Sequence, residues 1–266
     1  MTNLENQAPL GGGQLPPPPD GRTWDSPSIA EHGGWPMLNN DNYGDCTVAG
    51  ADHMMMCWAA NALEEFWTFN NTLALADFNH LRTGDNDAQA FHILAGWELF
   101  GLHRNVGGAA SPVRIDDFCP LKKSDPQALR LQIKQSIALL GGCYLTFALP
   151  VFSTGPNANG QVGGFWTEDW TKSDAYLTAK GAQAAKSVLN HCVNAIGYDG
   201  DMLSIVTWGA LQTMSLDFYV KYHLETYAVL CRAAWLRPDR TTPSGLSDAQ
   251  LQRVFNALKA AGDDGG

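Results

Sequence analysis

The sequence predicts an α+β fold in which a helical first half precedes a sheet-forming second half. Between residues 46 and 140, apolar segments alternate with polar loops, and the longest of them, 47–66, contains no proline, which is typical of helices. After residue 142, short runs rich in β-branched and aromatic residues are bounded by glycine and asparagine, which is typical of antiparallel strands. Because helices come first and strands second, the order favours α+β over an alternating parallel sheet.

The individual elements follow from local signals. The longest apolar segment, 47–66, is preceded by Asp45, a candidate N-cap, so that Cys46 falls in the first helical turn. Further helices are predicted at 72–82, 87–100, 125–140 and 246–261. Strands are predicted at 143–149, 192–198, 203–208 and 226–230. The residues Asp199–Asp201 form the turn of a hairpin between two of these strands.

The chain divides into three predicted parts. Residues 1–35 form a Pro/Gly-rich arm, 36–240 the main domain, and 241–266 a C-terminal helix with a flexible tail. The run Pro16–Pro19 favours polyproline II and cannot enter a sheet, so the arm either dangles or lies along a neighbouring surface. The second arrangement would let the arm link copies of the chain into an oligomer.

Composition narrows the function classes. A formal charge of −10 and a pI near 5.0 argue against nucleic acid as a partner, because phosphate binding needs a basic face. We expect no membrane partner either, since no apolar run reaches 18 residues. The N-terminus lacks the basic and apolar regions of a signal peptide, and most of the six cysteines lie in apolar segments. Both features favour a reduced intracellular setting over three disulfides.

Cys46 is the candidate nucleophile because of its place at the start of a helix. Unpaired backbone N–H groups and the positive end of the helix dipole favour a thiolate there. A negative Asp45 next to it would raise the thiol pKa and oppose this effect, so an inert thiol is the alternative.

A thiol nucleophile needs a base within reach, and His191 is the best placed of seven histidines. It precedes the strand at 192–198, although a histidine with a purely structural role there is the alternative. His53 shares a helix face with Cys46 but is expected to be a buried structural residue. Adjacent His191 and Cys192 would point to opposite faces of a strand, so we expect no metal site and no cofactor.

These residues carry a resemblance to papain-like cysteine peptidases. The stretch NNDNYGDCT with the apolar helix after it resembles the family's signature around the nucleophile. HCVNAIGYDGDMLSIVTWG resembles the second signature, and GGCYLTFALP the strand before it. The GDCT helix and VTWG strand are most similar to uncharacterised papain-like proteins of bacteria and tailed phages. The resemblance covers about 35–232 and implies a two-lobed fold, with a helical half around Cys46 and an antiparallel half.

The resemblance also implies roles for individual residues. Cys46 takes the position of the nucleophile and His191 that of the general base. Asn40 stands where the family has the oxyanion-hole glutamine, and Thr207 or Val206 stands where it has the asparagine that orients the histidine. Asparagine keeps the amide donor on a shorter stem, and Thr207 is expected to accept a bond from the imidazole Nδ1–H.

A substrate cleft is expected beside this pair. Trp208 would shelter the histidine, while Trp166, Trp170 and the glycine-rich loop containing Gly164 line the cleft or cover the edge of the sheet.

The resulting prediction is a cysteine protease-like hydrolase with a Cys46–His191 dyad and a peptide or amide substrate. The alternative is a catalytically inactive papain-like fold that serves as a structural or binding protein, such as a component of a phage particle. A third hypothesis is a thiol redox or transferase role. The expected location is the bacterial host cytoplasm or a virion.

Overall fold

A computed structural model of the chain describes residues 15–63, 65–82, 89–121, 124–150, 155–156, 162–164, 168–181 and 187–262. Within these ranges the α+β order predicted from the sequence is confirmed. The first half contains α1 (Pro27–Glu31), α2 (Cys46–Ala62), α3 (Asn71–Leu81), α4 (Ala90–Leu99) and the hairpin β2 (Leu102–Val106)–β3 (Ala109–Val113). It is followed by β4 (Asp117–Pro120) and α5 (Pro126–Leu140).

The second half is built on one antiparallel sheet. Its strands are β5 (Cys143–Pro150), β8 (Ser187–Asp199), β9 (Met202–Thr207), β10 (Ala210–Ser215) and β11 (His223–Leu230), in the order β10-β9-β8-β5-β11-β4. The other elements are β6 (Gly155–Pro156), β7 (Val162–Gly164), a 3-10 turn (Glu168–Thr171), α6 (Asp174–Ala179), α7 (Leu216–Tyr222), α8 (Arg232–Trp235) and α9 (Asp248–Gly262). None of the helices in these ranges is long and apolar enough to cross a membrane.

The central helix α2 packs against one face of the sheet. Met54, Met55 and Met56 are buried, as the sequence predicts for a core helix. On the opposite face α7 covers β5, where the ring of Phe218 lies 6.0 Å from that of Phe147. The sheet therefore separates two apolar layers. Of the candidate site residues, Cys46 lies at the start of α2, and His191 and Thr207 lie on the neighbouring strands β8 and β9.

Two strand boundaries differ from the prediction in ways that affect the site. β8 begins at Ser187, so His191 lies inside the strand and not before it. Pairing with β5 as far as Pro150 explains the extension, since a partner strand can order residues with weak local propensity. β9 ends at Thr207, and Trp208 belongs to the following turn.

The described part of the N-terminal arm lies along its own chain. β1 (Gly21–Thr23) pairs with the end of β8, and the Tyr198 hydroxyl donates to the Pro19 carbonyl oxygen over 3.0 Å. The Trp24 indole N–H donates to the Ile137 carbonyl oxygen of α5 at 2.6 Å. These contacts fix the arm from its proline run onward to the body of the same molecule.

Candidate active site

Cys46 is the first residue of α2 and is half-buried. Asp45 occupies the N-cap position, and its carbonyl oxygen accepts from Val48 N and Ala49 N at 2.9 and 3.0 Å. Its side chain makes no capping bond, which corrects the expectation from the sequence. At φ −92° and ψ 18° its backbone is not in the extended conformation that aims an N-cap side chain at the helix N–H groups.

The carboxyl of Asp45 is instead buried, and so is that of Asp52, seven residues further along α2. Neither carboxyl has a hydrogen-bond partner on another residue in the part of the chain that the structure describes. Burial raises the pKa of Asp45 to about 7, and the charge of Asp41 adds to the effect. Burial also raises the pKa of Asp52 well above its usual range, helped by Asp77 and Asp45. Near neutral pH, Asp45 is therefore close to half protonated, and its charge beside Cys46 depends on pH.

The loop before α2 has an unusual backbone. Leu38 and Asn39 have φ of 58° and 64°, in the left-handed region that residues with a Cβ rarely adopt. The Asn39 amide donates to the Asn71 carbonyl oxygen at 2.6 Å, which ties this loop to the start of α3. Asn40 follows in the turn, half-buried, with its backbone N–H donating to the Met37 carbonyl oxygen at 3.2 Å.

His191 lies under an aromatic cover formed by two tryptophans. Its ring stacks on Trp208 with 4.2 Å between centroids and an interplanar angle of 12°. Trp170, from the 3-10 turn, lies 6.4 Å from the imidazole and 5.8 Å from the Trp208 indole. His191 is only 3% exposed, and burial lowers the pKa of its imidazole to about 3. The ring is therefore neutral at physiological pH in this conformation.

The structure brings His191 and Thr207 together. His191 Nε2 lies 2.6 Å from Thr207 Oγ1, a hydrogen bond between neighbouring strands. The resemblance to papain-like cysteine peptidases predicts this bond at Nδ1, and the structure corrects the atom to Nε2. With Nε2–H donating to Thr207, Nδ1 keeps the lone pair that a general base needs. Val206, the other candidate, is buried and has no polar side-chain atom.

The tryptophan that stacks on His191 lies in a strained turn. Trp208 and Gly209 form the two-residue turn between β9 and β10, with φ of 46° and 69°. This corresponds to a type I′ turn, in which the first position normally holds asparagine, aspartate or glycine. Placing a bulky side chain there costs about 1–2 kcal/mol, so the turn is not optimised for stability alone.

The same turn is connected to α2. A Cβ added to Gly209 would lie 3.3 Å from both Trp35 O and Met37 N, so the loop before α2 passes directly over it. The Pro36 carbonyl oxygen in this loop bonds to His53 Nε2 at 2.8 Å. Burial lowers the pKa of His53 to about 4, and its structural role agrees with the expectation from the sequence. The loop thus links the Cys46 helix to the strands that carry the imidazole.

His191 and Cys192 point to opposite faces of β8, as the sequence predicts. Phe147 is paired with His191 and belongs to the aromatic layer on one face. Thr146 is paired with Cys192 on the other face, where α2 packs. A Cβ at Gly50 of α2 would lie 3.4 Å from Cys192 Sγ, so the cysteine of β8 is the one that contacts the central helix.

Gly164 is in β7 and pairs with Gly155, whereas Trp166 lies outside the described residues. Within the described ranges, no group of three or more His, Cys, Asp or Glu residues could hold a metal ion. All six cysteines are thiols, and five of them are buried.

Sequence reasoning missed the buried carboxyl of Asp52 and the packing of Cys192 against α2. A charged residue inside an otherwise apolar helix, seven positions from Asp45, was a signal for the first. For the second, strand alternation separates His191 from Cys192, but it does not say which of the two faces α2 covers.

Comparisons with known proteins support the fold. No family model matches the chain, and no curated protein does. Among solved structures, the chain is similar to the Carica candamarcensis cysteine protease CMS1MS2 in complex with E-64, with a TM-score of 0.51 and 14% identity. The match covers 80% of this chain and 99% of that one. The bromelain protease from Ananas comosus in complex with E64 matches over the same shares, with a TM-score of 0.45 and 12% identity. The chain therefore has a papain-like fold.

Proposed function

We propose that the protein is a papain-like thiol hydrolase that cleaves a peptide or amide bond. The observation that supports this most is the position of Cys46 as the first residue of the central helix of a papain-like fold. The hydrogen-bonded and shielded His191 on the adjacent sheet supports it further. We propose a peptide or amide substrate because the fold is similar to that of a cysteine protease solved in complex with the inhibitor E-64.

In the proposed reaction Cys46 Sγ attacks the carbonyl carbon and His191 Nδ1 takes the thiol proton. The imidazole then gives the proton to the leaving amine, and water hydrolyses the thioester. The Cys46 backbone N–H and the Asn40 amide would donate to the oxyanion. Thr207 would hold the ring through Nε2, the role that an asparagine has in the family.

The buried imidazole implies a particular starting state. Because burial lowers the pKa of His191 to about 3, the resting pair would be a neutral thiol with a neutral imidazole. Proton transfer would then accompany attack on the substrate. Deprotonation of Asp45, whose pKa is about 7, would place a negative charge next to Cys46 and disfavour its thiolate at higher pH.

Labelling with E-64 tests the nucleophile. We expect E-64 to add one inhibitor mass to the native protein at Cys46, and not to the Cys46→Ser variant. His191→Gln should slow labelling, and Cys231→Ala, which alters a buried thiol elsewhere, should leave it unchanged. If Cys46 in the native protein reacts with iodoacetamide no faster than in urea-denatured protein, the assignment as nucleophile fails.

A second candidate function is a non-catalytic binding or structural protein, including a component of a phage particle. The deep burial of His191 between Trp170 and Trp208 favours it, since a base must be reached by the reacting thiol. Under this proposal native Cys46 resists E-64, and the Cys46→Ala variant keeps every binding partner. Light scattering would detect the assembly, and a strict monomer at all concentrations would contradict a particle role.

A further inference from the structure

The second cysteine beside the start of α2 has no role in the proposed hydrolysis. Cys192 is 2% exposed and faces α2, and the backbone of the helix comes close to it at Gly50. A Cβ at Gly50 would lie 3.4 Å from Cys192 Sγ and 3.7 Å from the Val193 carbonyl carbon. These distances are ordinary van der Waals contacts, so the backbone of α2 packs directly against β8 at Cys192.

Cys46 lies on the same side of the helix. Residues four apart in an α-helix stand one above the other, so Cys46 is one turn above Gly50. Tyr144 of β5 reaches this side of the helix, because its hydroxyl donates to the Thr47 carbonyl oxygen in the first turn of α2 at 2.6 Å. It also hydrogen-bonds to Cys192, and a charge on Cys46 raises the pKa of both Tyr144 and Cys192. Tyr144 therefore contacts both Cys192 and the first turn of α2, the turn that begins with Cys46.

We propose that Cys46 and Cys192 form a reversible intramolecular disulfide when a hydroperoxide oxidises Cys46. This inference requires only that Cys46 is the accessible thiol of the pair, and it does not depend on hydrolase activity. Its consequence is a second, oxidised state of the site in which Cys46 is blocked but recoverable.

The chemistry takes two steps. The Cys46 thiolate attacks the terminal oxygen of the hydroperoxide, the O–O bond breaks, and the alkoxide leaves as an alcohol after protonation, which gives Cys46 sulfenic acid. The Cys192 sulfur then attacks Cys46 Sγ, an S–S bond replaces the S–O bond, and hydroxide leaves as water with the proton from Cys192. The two cysteines lose two electrons, and the hydroperoxide gains them. A dithiol such as dithiothreitol then reduces the Cys46–Cys192 disulfide by thiol–disulfide exchange, which returns both cysteines to thiols and leaves the dithiol as its own disulfide.

The burial of the two residues sets their order. Cys46 is half-buried and meets the oxidant first, whereas Cys192 is enclosed. Burial raises the pKa of Cys192, and the charge of the Cys46 thiolate raises it further. Conversion of Cys46 to a neutral sulfenic acid removes that second contribution, while the bond from Tyr144 still favours the Cys192 thiolate. Oxidation of Cys46 therefore removes one of the contributions that raise the pKa of Cys192, although burial still raises it.

The test is oxidation of the full chain followed by peptide mapping. Reduced protein is treated with one equivalent of hydrogen peroxide, blocked with N-ethylmaleimide and digested without reduction. We expect a linked Cys46–Cys192 peptide, lighter than its two thiol peptides by the mass of two hydrogen atoms. Dithiothreitol should release it. Dimedone, which traps sulfenic acid, should label Cys192→Ala strongly at Cys46 and the native protein weakly.

Cys119→Ala is the matched control, because Cys119 is a buried thiol on β4, separated from β8 by two strands. It should behave like the native protein. If Cys192→Ala does not fold, Cys192→Ser serves instead. Equal dimedone labelling of the native and Cys192 variants, with no linked peptide, would overturn the proposal.

Labelling of the reduced proteins with E-64 separates this result from the proposed function. If the disulfide forms but E-64 does not react, the proposed hydrolase is contradicted and the proposed disulfide is supported. If E-64 reacts but no disulfide forms, the proposed disulfide is contradicted and the hydrolase is supported.

Discussion

Replacing His191 by glutamine is expected to change how the free energy of unfolding depends on pH. In the folded protein burial lowers the pKa of the imidazole to about 3, from an ordinary value of 6.5. Between these values the unfolded chain binds a proton that the folded chain does not. His191 therefore leaves stability unaffected above pH 6.5 and reduces it as the pH falls below that value.

The size of the effect follows from the two pKa values. A pH of 5 lies about 1.5 units below the pKa of the imidazole in the unfolded chain. This difference lowers the free energy of unfolding by about 2 kcal/mol relative to pH 8. The glutamine variant carries no titrating group at this position. It will be less stable overall, because it replaces a stacked and hydrogen-bonded ring, but it should lose about 2 kcal/mol less between pH 8 and pH 5 than the native protein.

Urea denaturation at the two pH values measures this difference, with unfolding followed by circular dichroism. Asp45 contributes to the pH dependence of the free energy of unfolding in both proteins, and its effect is opposite to that of His191. Its raised pKa stabilises the folded state as the pH falls from above 7 towards 4. Comparing variant with native protein cancels that contribution. His92→Gln, which replaces an exposed histidine of α4, should show the native dependence.

Two outcomes would refute the reasoning. Equal losses for native protein and variant would mean that His191 titrates normally in the folded state. A native protein that gains stability relative to the variant on acidification would mean that the folded imidazole is charged. A thiolate–imidazolium pair between Cys46 and His191 would produce this second outcome. The thiolate would raise the pKa of the imidazole, and a raised pKa stabilises the folded state at low pH.

Other perturbations address single features of the site. Asp45→Asn should speed the reaction of Cys46 with iodoacetamide at pH 8 and change it little at pH 6, because the charge it removes is present only above about pH 7; peptide mass spectrometry gives the rates. Gly197→Ala should lower the melting temperature, since its Cβ would lie 2.8 Å from a backbone oxygen of β1. Gly50→Ala should be tolerated or raise the melting temperature, because its new contacts are of ordinary length and alanine favours a helix by about 0.5–1 kcal/mol. Trp208→Gly should relieve strain yet raise the pKa of the imidazole it uncovers, as an NMR titration would show.

Much of the fold could be predicted because local signals agreed with the tertiary structure. α5 runs from Pro126 to Leu140, with Asp125 accepting from two backbone N–H groups and Gly141 in the left-handed conformation after its end. The hairpin turn at 199–201 was likewise found, where Gly200 has φ 52°. Such caps and turns depend on a few adjacent residues, and these are visible in the sequence.

The parts that could not be predicted depend on residues far apart in the chain. The start of β8 is set by pairing with β5, some forty residues earlier. The hairpin β2–β3, with Pro112 in its second strand, has little local strand propensity. At the site, the Asp45 side chain does not cap α2, because its backbone is not extended and its carboxyl is buried instead. Burial of a charged group depends on the neighbouring elements and not on the residue itself.

The distribution of strain bears on which function the site serves. Four non-glycine residues in the described ranges have positive φ, and three of them, Leu38, Asn39 and Trp208, flank the candidate site. Each such residue costs about 1–3 kcal/mol, and the cost persists only where surrounding contacts impose the conformation. Leu38 is fully buried and Trp208 is stacked on His191, so packing supplies that constraint. A fold kept only as a scaffold gains nothing from strain in these two loops, because relaxed residues there would stabilise it. Strain concentrated around Asn40 and the imidazole is therefore what the proposed hydrolase predicts, and relaxed loops would be expected under the structural alternative.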